Sequence, residues 1–267
     1  MPVSRGGTAY DLTGPDDAPV VVLLHGLGLT RQVTWGGVVP ALAERFRVLS
    51  YDLLGHGETA LPQGEVNLTA LGQQLIDLMD ELGIAQAALV GFSLGGMINR
   101  RVAMDHPGRV SALAVLNSPH ERGEAQQKLV EDRARETGAG GPAANIDATL
   151  ERWFTGDFRN DHKEIVAEVR ATVLANDHRN YAAHRVVLAE GVTELIRPEP
   201  PIHQPALVMT CQNDSGSTPA MSWAIAKEMG EADVVIVPEL QHLGLIERPE
   251  LFVGPLKTFL GQEGAQA

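Results

Sequence analysis

Residues 91–95 read Gly91-Phe92-Ser93-Leu94-Gly95, followed by Gly96, between an apolar run at Ala87-Ala88-Leu89-Val90 and a helical pattern over Leu94 to Asp105. A chain that leaves a buried strand and enters a helix within so few residues must turn sharply at Ser93, in strained backbone geometry. Such a turn admits only small residues on either side, and Gly91 and Gly95 supply the clearance. Strand, G-x-S-x-G turn and amphipathic helix, in that order, expose a serine hydroxyl at the carboxyl end of a strand.

The same unit recurs along the chain. Val20 to Leu24 is a continuous apolar run ending at His25-Gly26, as expected of a strand buried on both faces. Phe46 to Tyr51 reads as the next strand and leads into Asp52-Leu53-Leu54-Gly55-His56-Gly57. Leu68 to Leu82 has apolar residues at helical spacing, with Gly83 placed to end the helix. Further strands are expected at Val110 to Leu116, Ala206 to Thr210 and Val234 to Val237, with helices over Pro219 to Met229 and Pro249 to Leu260. This alternation predicts an α/β fold with a mostly parallel central sheet flanked by helices. The stretch from His120 to Arg197 departs from it. There the patterns are helical (Ala125 to Glu136, Ile146 to Phe154, Lys163 to Leu174, Tyr181 to Leu195), and Arg197-Pro198-Glu199-Pro200-Pro201 marks the return to the sheet. We therefore expect a helical cap, residues 120–197, inserted between strands of a core domain made of residues 1–119 and 198–267.

With 267 residues the chain is long enough for one large core. Its net charge of -13 argues against nucleic acid as a partner, because phosphate binding rests on clustered Lys and Arg. An anionic ligand would need local Arg or His compensation. A single cysteine, Cys211, excludes an intramolecular disulfide, and its neighbours Leu207-Val208-Met209 mark it as a buried thiol at a strand end. Met1 to Gly7 has no apolar signal region, and no segment approaches the length of a membrane span. The expectation is a cytoplasmic protein acting on a small molecule, with its oligomeric state open. The nine histidines form no H-x-x-x-H pair with a suitably placed acid, and there is no dinucleotide fingerprint or P-loop. No metal and no cofactor are expected.

A serine hydroxyl needs an adjacent base to become a nucleophile, and histidine has the right proton affinity near neutrality. Around this type of turn the order along the chain is nucleophile, acid, histidine. His242 follows the run Val234 to Val237 in the loop Pro238-Glu239-Leu240-Gln241-His242-Leu243-Gly244, and Asp214 follows the preceding strand. Thr218-Pro219 can start the next helix, which leaves Asp214 free to orient His242. The position after the Leu116 strand is Asn117-Ser118 and offers no anion. Two main-chain N–H groups should face a developing oxyanion: those of Leu94, after the serine, and Leu27, in His25-Gly26-Leu27-Gly28. His25 reads as a brace for that loop and is also a candidate to touch substrate, with Arg122 and Trp153. His56 reads as turn architecture. Arg31, Arg122, Arg152, His162, His178 and His184 read as solvated helix faces, one or two of them turned into the cleft.

Taken together, His25-Gly26, Asp52 to Gly57, Gly91 to Gly96, Asp214 and His242 resemble the α/β-hydrolase superfamily over essentially the whole chain. Within it, Arg152-Trp153-Phe154-Thr155, Tyr181-Ala182-Ala183, Pro205-Ala206-Leu207-Val208 and the overall length resemble the 3-oxoadipate enol-lactonases. The resemblance implies the α/β-hydrolase fold and a serine esterase or lactonase of aromatic-compound catabolism. It would cleave a small carboxylic ester or enol-lactone bearing a carboxylate, through an acyl-enzyme on Ser93, with Trp153 as a cap-side wall. The segment Asn117 to Gly123 differs from those lactonases. Two alternatives are a carbon–carbon bond hydrolase of dienoate meta-cleavage products, and a ligand receptor with a slow or vestigial triad. A substrate panel separates the first, and immediate labelling of Ser93 by a fluorophosphonate counts against the second.

Overall fold

The structure, a computed structural model, describes residues 2–138 and 140–263. Residues 1, 139 and 264–267 of the expected core and cap ranges lie outside it. The strands are β1 (Tyr10–Thr13), β2 (Val20–Leu24), β3 (Arg47–Tyr51), β4 (Ala87–Phe92), β5 (Val110–Leu116), β6 (Ala206–Cys211) and β7 (Ala232–Val237). The helices are α1 (Arg31–Trp35), α2 (Val39–Leu42), α3 (Leu68–Glu81), α4 (Leu94–Asp105), α5 (Glu124–Gly138), α6 (Ile146–Trp153), α7 (Gly156–Asp161), α8 (Lys163–Leu174), α9 (His178–Glu190), α10 (Pro219–Glu228), α11 (Gly244–Glu247) and α12 (Glu250–Glu263).

One sheet holds seven strands in the order β1-β3-β2-β4-β5-β6-β7. β2, β4, β5 and β6 are almost completely buried, which is why their sequences are dominated by apolar residues with no alternation, interrupted only by Ser111 in β5 and Thr210 in β6. Every pairing is parallel except β1 with β3. β1 is a half-exposed edge strand with a mixed sequence, and pattern reading does not find it. α3 begins where Asn67 accepts the Ala70 N–H at 2.8 Å, and it ends at Gly83, whose φ of +67° closes the last turn.

Between β5 and β6 the chain runs through α5–α9, with no strand there among the described residues. The helix expected over Tyr181 to Leu195 begins earlier, at His178, and tightens into a 3₁₀ turn at Gly191–Leu195. Two residues read as solvated are buried. The Arg31 guanidinium is fully enclosed and meets Asp52, Asp11 (2.6 Å) and Glu58 (2.9 Å). His184 packs edge-on against His56 at 4.6 Å, because that face of α9 covers the loop after β3 rather than facing water. Among the described residues no helix is long and apolar enough to cross a membrane.

Candidate active site

Parallel strands bring their carboxyl ends to one edge, so the residues just beyond β4, β6 and β7 converge there. Ser93 follows β4 with φ 55° and ψ -111°, a conformation L-residues rarely hold. The glycines beside it are required by contact: a Cβ on Gly91 would stand 2.2 Å from the Gly95 carbonyl oxygen, and one on Gly95 2.1 Å from the Leu24 oxygen. The Ser93 N–H donates to the Leu116 carbonyl at 2.8 Å, so β5 holds the turn in register.

Asp214 lies in the loop after β6, 3% exposed. Its Oδ1 accepts the N–H groups of Gly216 and Ser217, both at 2.9 Å, which is the Asx-type turn its sequence allows. Its Oδ2 accepts from Asn117 Nδ2 at 2.9 Å and from His242 Nδ1 at 2.6 Å. Burial opposes the charged form, but His242, Asn117 and the Ser217 N–H outweigh it and hold the carboxyl below its ordinary value. Since a carboxylate only accepts, Nδ1 of His242 carries a proton, so in the neutral imidazole it is Nε2 that holds the lone pair. The imidazole lies tilted against Phe92 (5.1 Å between centroids) and Trp153 (6.1 Å). Thr218, and not Asp214, caps α10, accepting from Met221.

Ser93, Asp214 and His242 all line one cavity of about 1200 Å³. Gly26 and Leu27 border it, and so do Arg122 and Trp153. Leu94 begins α4, so its N–H has no acceptor within the helix. In the facing loop the Gly28 N–H is taken by His56 (3.1 Å) and that of Leu29 by the Gly26 carbonyl (3.3 Å). Four arginines, at positions 122, 133, 152 and 185, line the cavity in a chain that is otherwise strongly acidic. Arg122 is pulled below the usual guanidinium value by burial, with Glu131 opposing.

The expectation that His25 touches substrate is corrected. It is fully buried, donates from Nδ1 to the Gly26 carbonyl (2.8 Å) and accepts the Leu53 N–H at Nε2 (3.0 Å), so both nitrogens are spent bracing the loop. His56 likewise serves the turn, bonded to Gly28 and Leu54. Three residues to which the sequence reading gives no role support the site. Asn117 holds Asp214, and Ser118 Oγ donates to the Ser93 carbonyl at 3.0 Å. Arg100, buried beneath the turn, donates to the Gly96 and Pro119 carbonyls, both at 2.9 Å. Burial lowers Arg100 to about 10. Only the polar interruption of an apolar helix face could have flagged it.

A family model described as alpha/beta hydrolase fold matches residues 19–249. A 3-oxoadipate enol-lactonase of Acinetobacter baylyi is 30% identical over 91% of this chain and 89% of its own length. From the same organism, (E)-2-((N-methylformamido)methylene)succinate hydrolase is 25% identical over 94% and 93%. Among solved structures, the enol-lactonase of Burkholderia xenovorans LB400 superposes with a TM-score of 0.86 at 31% identity, covering 95% of this chain and 96% of that one. A seven-stranded sheet with its sharp serine turn, matched over most of its length, belongs to the alpha/beta hydrolase family.

Proposed function

We propose that this protein is a cytoplasmic serine hydrolase that cleaves a small carboxylic ester or enol-lactone bearing a carboxylate. The observation that carries the reading is the Asp214–His242 pair, 2.6 Å apart, opening on the same cavity as Ser93. In the proposed mechanism Ser93 Oγ attacks the substrate carbonyl carbon while His242 Nε2 takes the hydroxyl proton. The carbonyl oxygen becomes an oxyanion held by the N–H groups of Leu27 and Leu94. As the tetrahedral species collapses, the bond to the alkoxide or enolate leaving group breaks and His242 returns its proton to that oxygen. A water, deprotonated by the same nitrogen, then attacks the acyl-enzyme and releases the acid, and Ser93 regains its proton. Asp214 keeps His242 in the productive tautomer and stabilises the imidazolium.

Support for an anionic substrate comes from the arginine-lined wall, which concentrates positive charge in an acidic protein. Trp153 supplies an apolar wall beside His242. The insertion 120–197 is read as a cap over a core of 1–119 and 198–267. The relatives named as enol-lactonases act on a lactone, in keeping with this reading.

The test is a panel of short acyl p-nitrophenyl esters, enol-lactones and dienoate diketones, with Ser93→Ala as blank. Ester or lactone turnover that falls about 10⁴-fold in Ser93→Ala supports the reading. Turnover confined to the diketones assigns carbon–carbon cleavage instead, and near-normal activity in Ser93→Ala removes the mechanism.

A further inference from the structure

The two loops that complete the proposed site are each tied to the helical insertion rather than only to the sheet. On the side of His242, the N–H of Leu243 donates to the Trp153 carbonyl at 2.8 Å. Just beyond α6, Thr155 donates twice to Glu247 of α11, from its N–H (2.8 Å) and from its hydroxyl (2.7 Å). The histidine loop is thus bound to the end of α6 immediately after position 242 and again at Glu247.

On the opposite side, Asn176, between α8 and α9, donates to the Gly28 carbonyl at 2.9 Å. The Tyr181 ring lies so close to Gly28 that a Cβ there would be 2.9 Å from it. The N–H of Gly28 is held by His56 at 3.1 Å, and α9 clamps the His56 turn in two ways. Asn180 donates to the Gly55 carbonyl at 2.9 Å, and His184 packs on the His56 ring. Both polar groups of Gly28 are therefore spoken for, one by the insertion directly and one through a turn the insertion holds. Gly28 is the residue after Leu27, the proposed oxyanion donor.

From these ties we infer that the helical insertion is a clamp that positions the base and the oxyanion loop, and not a lid that swings free of them. Thr155 and Asn176 are its positioning residues. The inference rests on the Ser93 mechanism proposed above. Its consequence is that undocking the insertion disassembles the site, so substrate reaches Ser93 while α6 and α9 stay seated. A donor displaced from the oxyanion costs up to the roughly 10²–10³-fold seen when one is deleted, and a donor merely loosened costs less.

The test uses a neutral short-chain p-nitrophenyl ester, so that charge recognition plays no part. Thr155→Val keeps the shape but removes the hydroxyl, which both donates to Glu247 and accepts the Phe158 N–H at the start of α7, and Thr155→Ser restores both bonds. Asn176→Asp removes the amide donor to Gly28 at constant size. We expect kcat to fall roughly 3- to 30-fold in Thr155→Val and in Asn176→Asp, with KM within about twofold, and to recover in Thr155→Ser. Thr155→Val should also slow fluorophosphonate labelling of Ser93. Asn176→Asp should weaken a trifluoromethyl ketone, whose adduct places an oxyanion in the hole, by about the factor lost in kcat. Unchanged kcat in both variants overturns the clamp, as does a loss that falls wholly in KM or that merely follows the folded fraction in a thermal melt. Ser93→Ala runs alongside: labelling that survives in it removes the nucleophile itself, whereas labelled Ser93 with unaffected clamp variants removes only the clamp.

Discussion

Asn117 and Asp214 stand 97 positions apart in the chain and meet at 2.9 Å, the asparagine amide donating to the very carboxylate oxygen that receives His242. The contact exists because β5 and β6 are parallel neighbours, paired through Leu116 and Met209, so that the residues just past them emerge side by side. Asn117 reaches the acid with a φ of +46°, a backbone state that asparagine tolerates better than most residues.

Removing that donor should be felt at the acid. In Asn117→Ala the carboxylate loses a hydrogen bond to its charged form, so its pKa rises, and the oxygen that orients His242 is no longer held in place. We expect kcat to drop about 5- to 20-fold on an ester substrate. Full kcat in Asn117→Ala contradicts this role.

Acid should destabilise the fold in two stages. His25 and His56 are pushed down chiefly by burial, and His184, also by burial, to about 4. Their unfolded counterparts take protons first, near 6.5, so stability is complete above that pH and declines as pH falls toward the folded-state values. Asp214, held below its ordinary value, adds a loss that begins only below about pH 4. Urea midpoints at pH 7, 5.5 and 4.5 report the first stage, and His184→Leu, which deletes an imidazole whose Nε2 has no partner, should flatten it. A midpoint independent of pH between 7 and 4.5 would refute the buried-histidine account.

The turn around Ser93 leaves no room for a methyl group. Gly95→Ala would drive a Cβ onto the Leu24 carbonyl, a backbone atom that cannot swing aside. We expect a cost of about 3 kcal/mol and a thermal midpoint lower by roughly 5–10 °C, with activity lost as well. Gly254→Ala, where an added Cβ meets nothing within 4 Å, is the control.

Charge in the cavity should act on substrate choice. Arg152→Gln should lower kcat/KM for a carboxylate-bearing ester by about 10- to 100-fold and leave the matching neutral ester within about twofold. Equal losses on both esters would show that Arg152 serves the fold and not recognition.

Much of this protein is legible in one dimension because its determinants are local. The apolar runs of β2, β4 and β5, the Gly91–Gly95 turn and the Thr218 cap each follow from neighbouring residues and backbone sterics, and the fold class follows from their alternation. The order of Ser93, Asp214 and His242 along the chain was enough to name them as candidates. Other features depended on which segments meet in space. Arg31 and His184 were misread as solvated because helical periodicity cannot say what covers a polar face, and here acidic and imidazole partners from the loop after β3 do so. The half-exposed edge strand β1, the Asn117 bond to Asp214 and the ties from Thr155 and Asn176 rest on pairings between residues dozens of positions apart. Only the packed chain decides such pairings, since hydrogen-bond partners are chosen by proximity in space and sequence spacing holds no record of it.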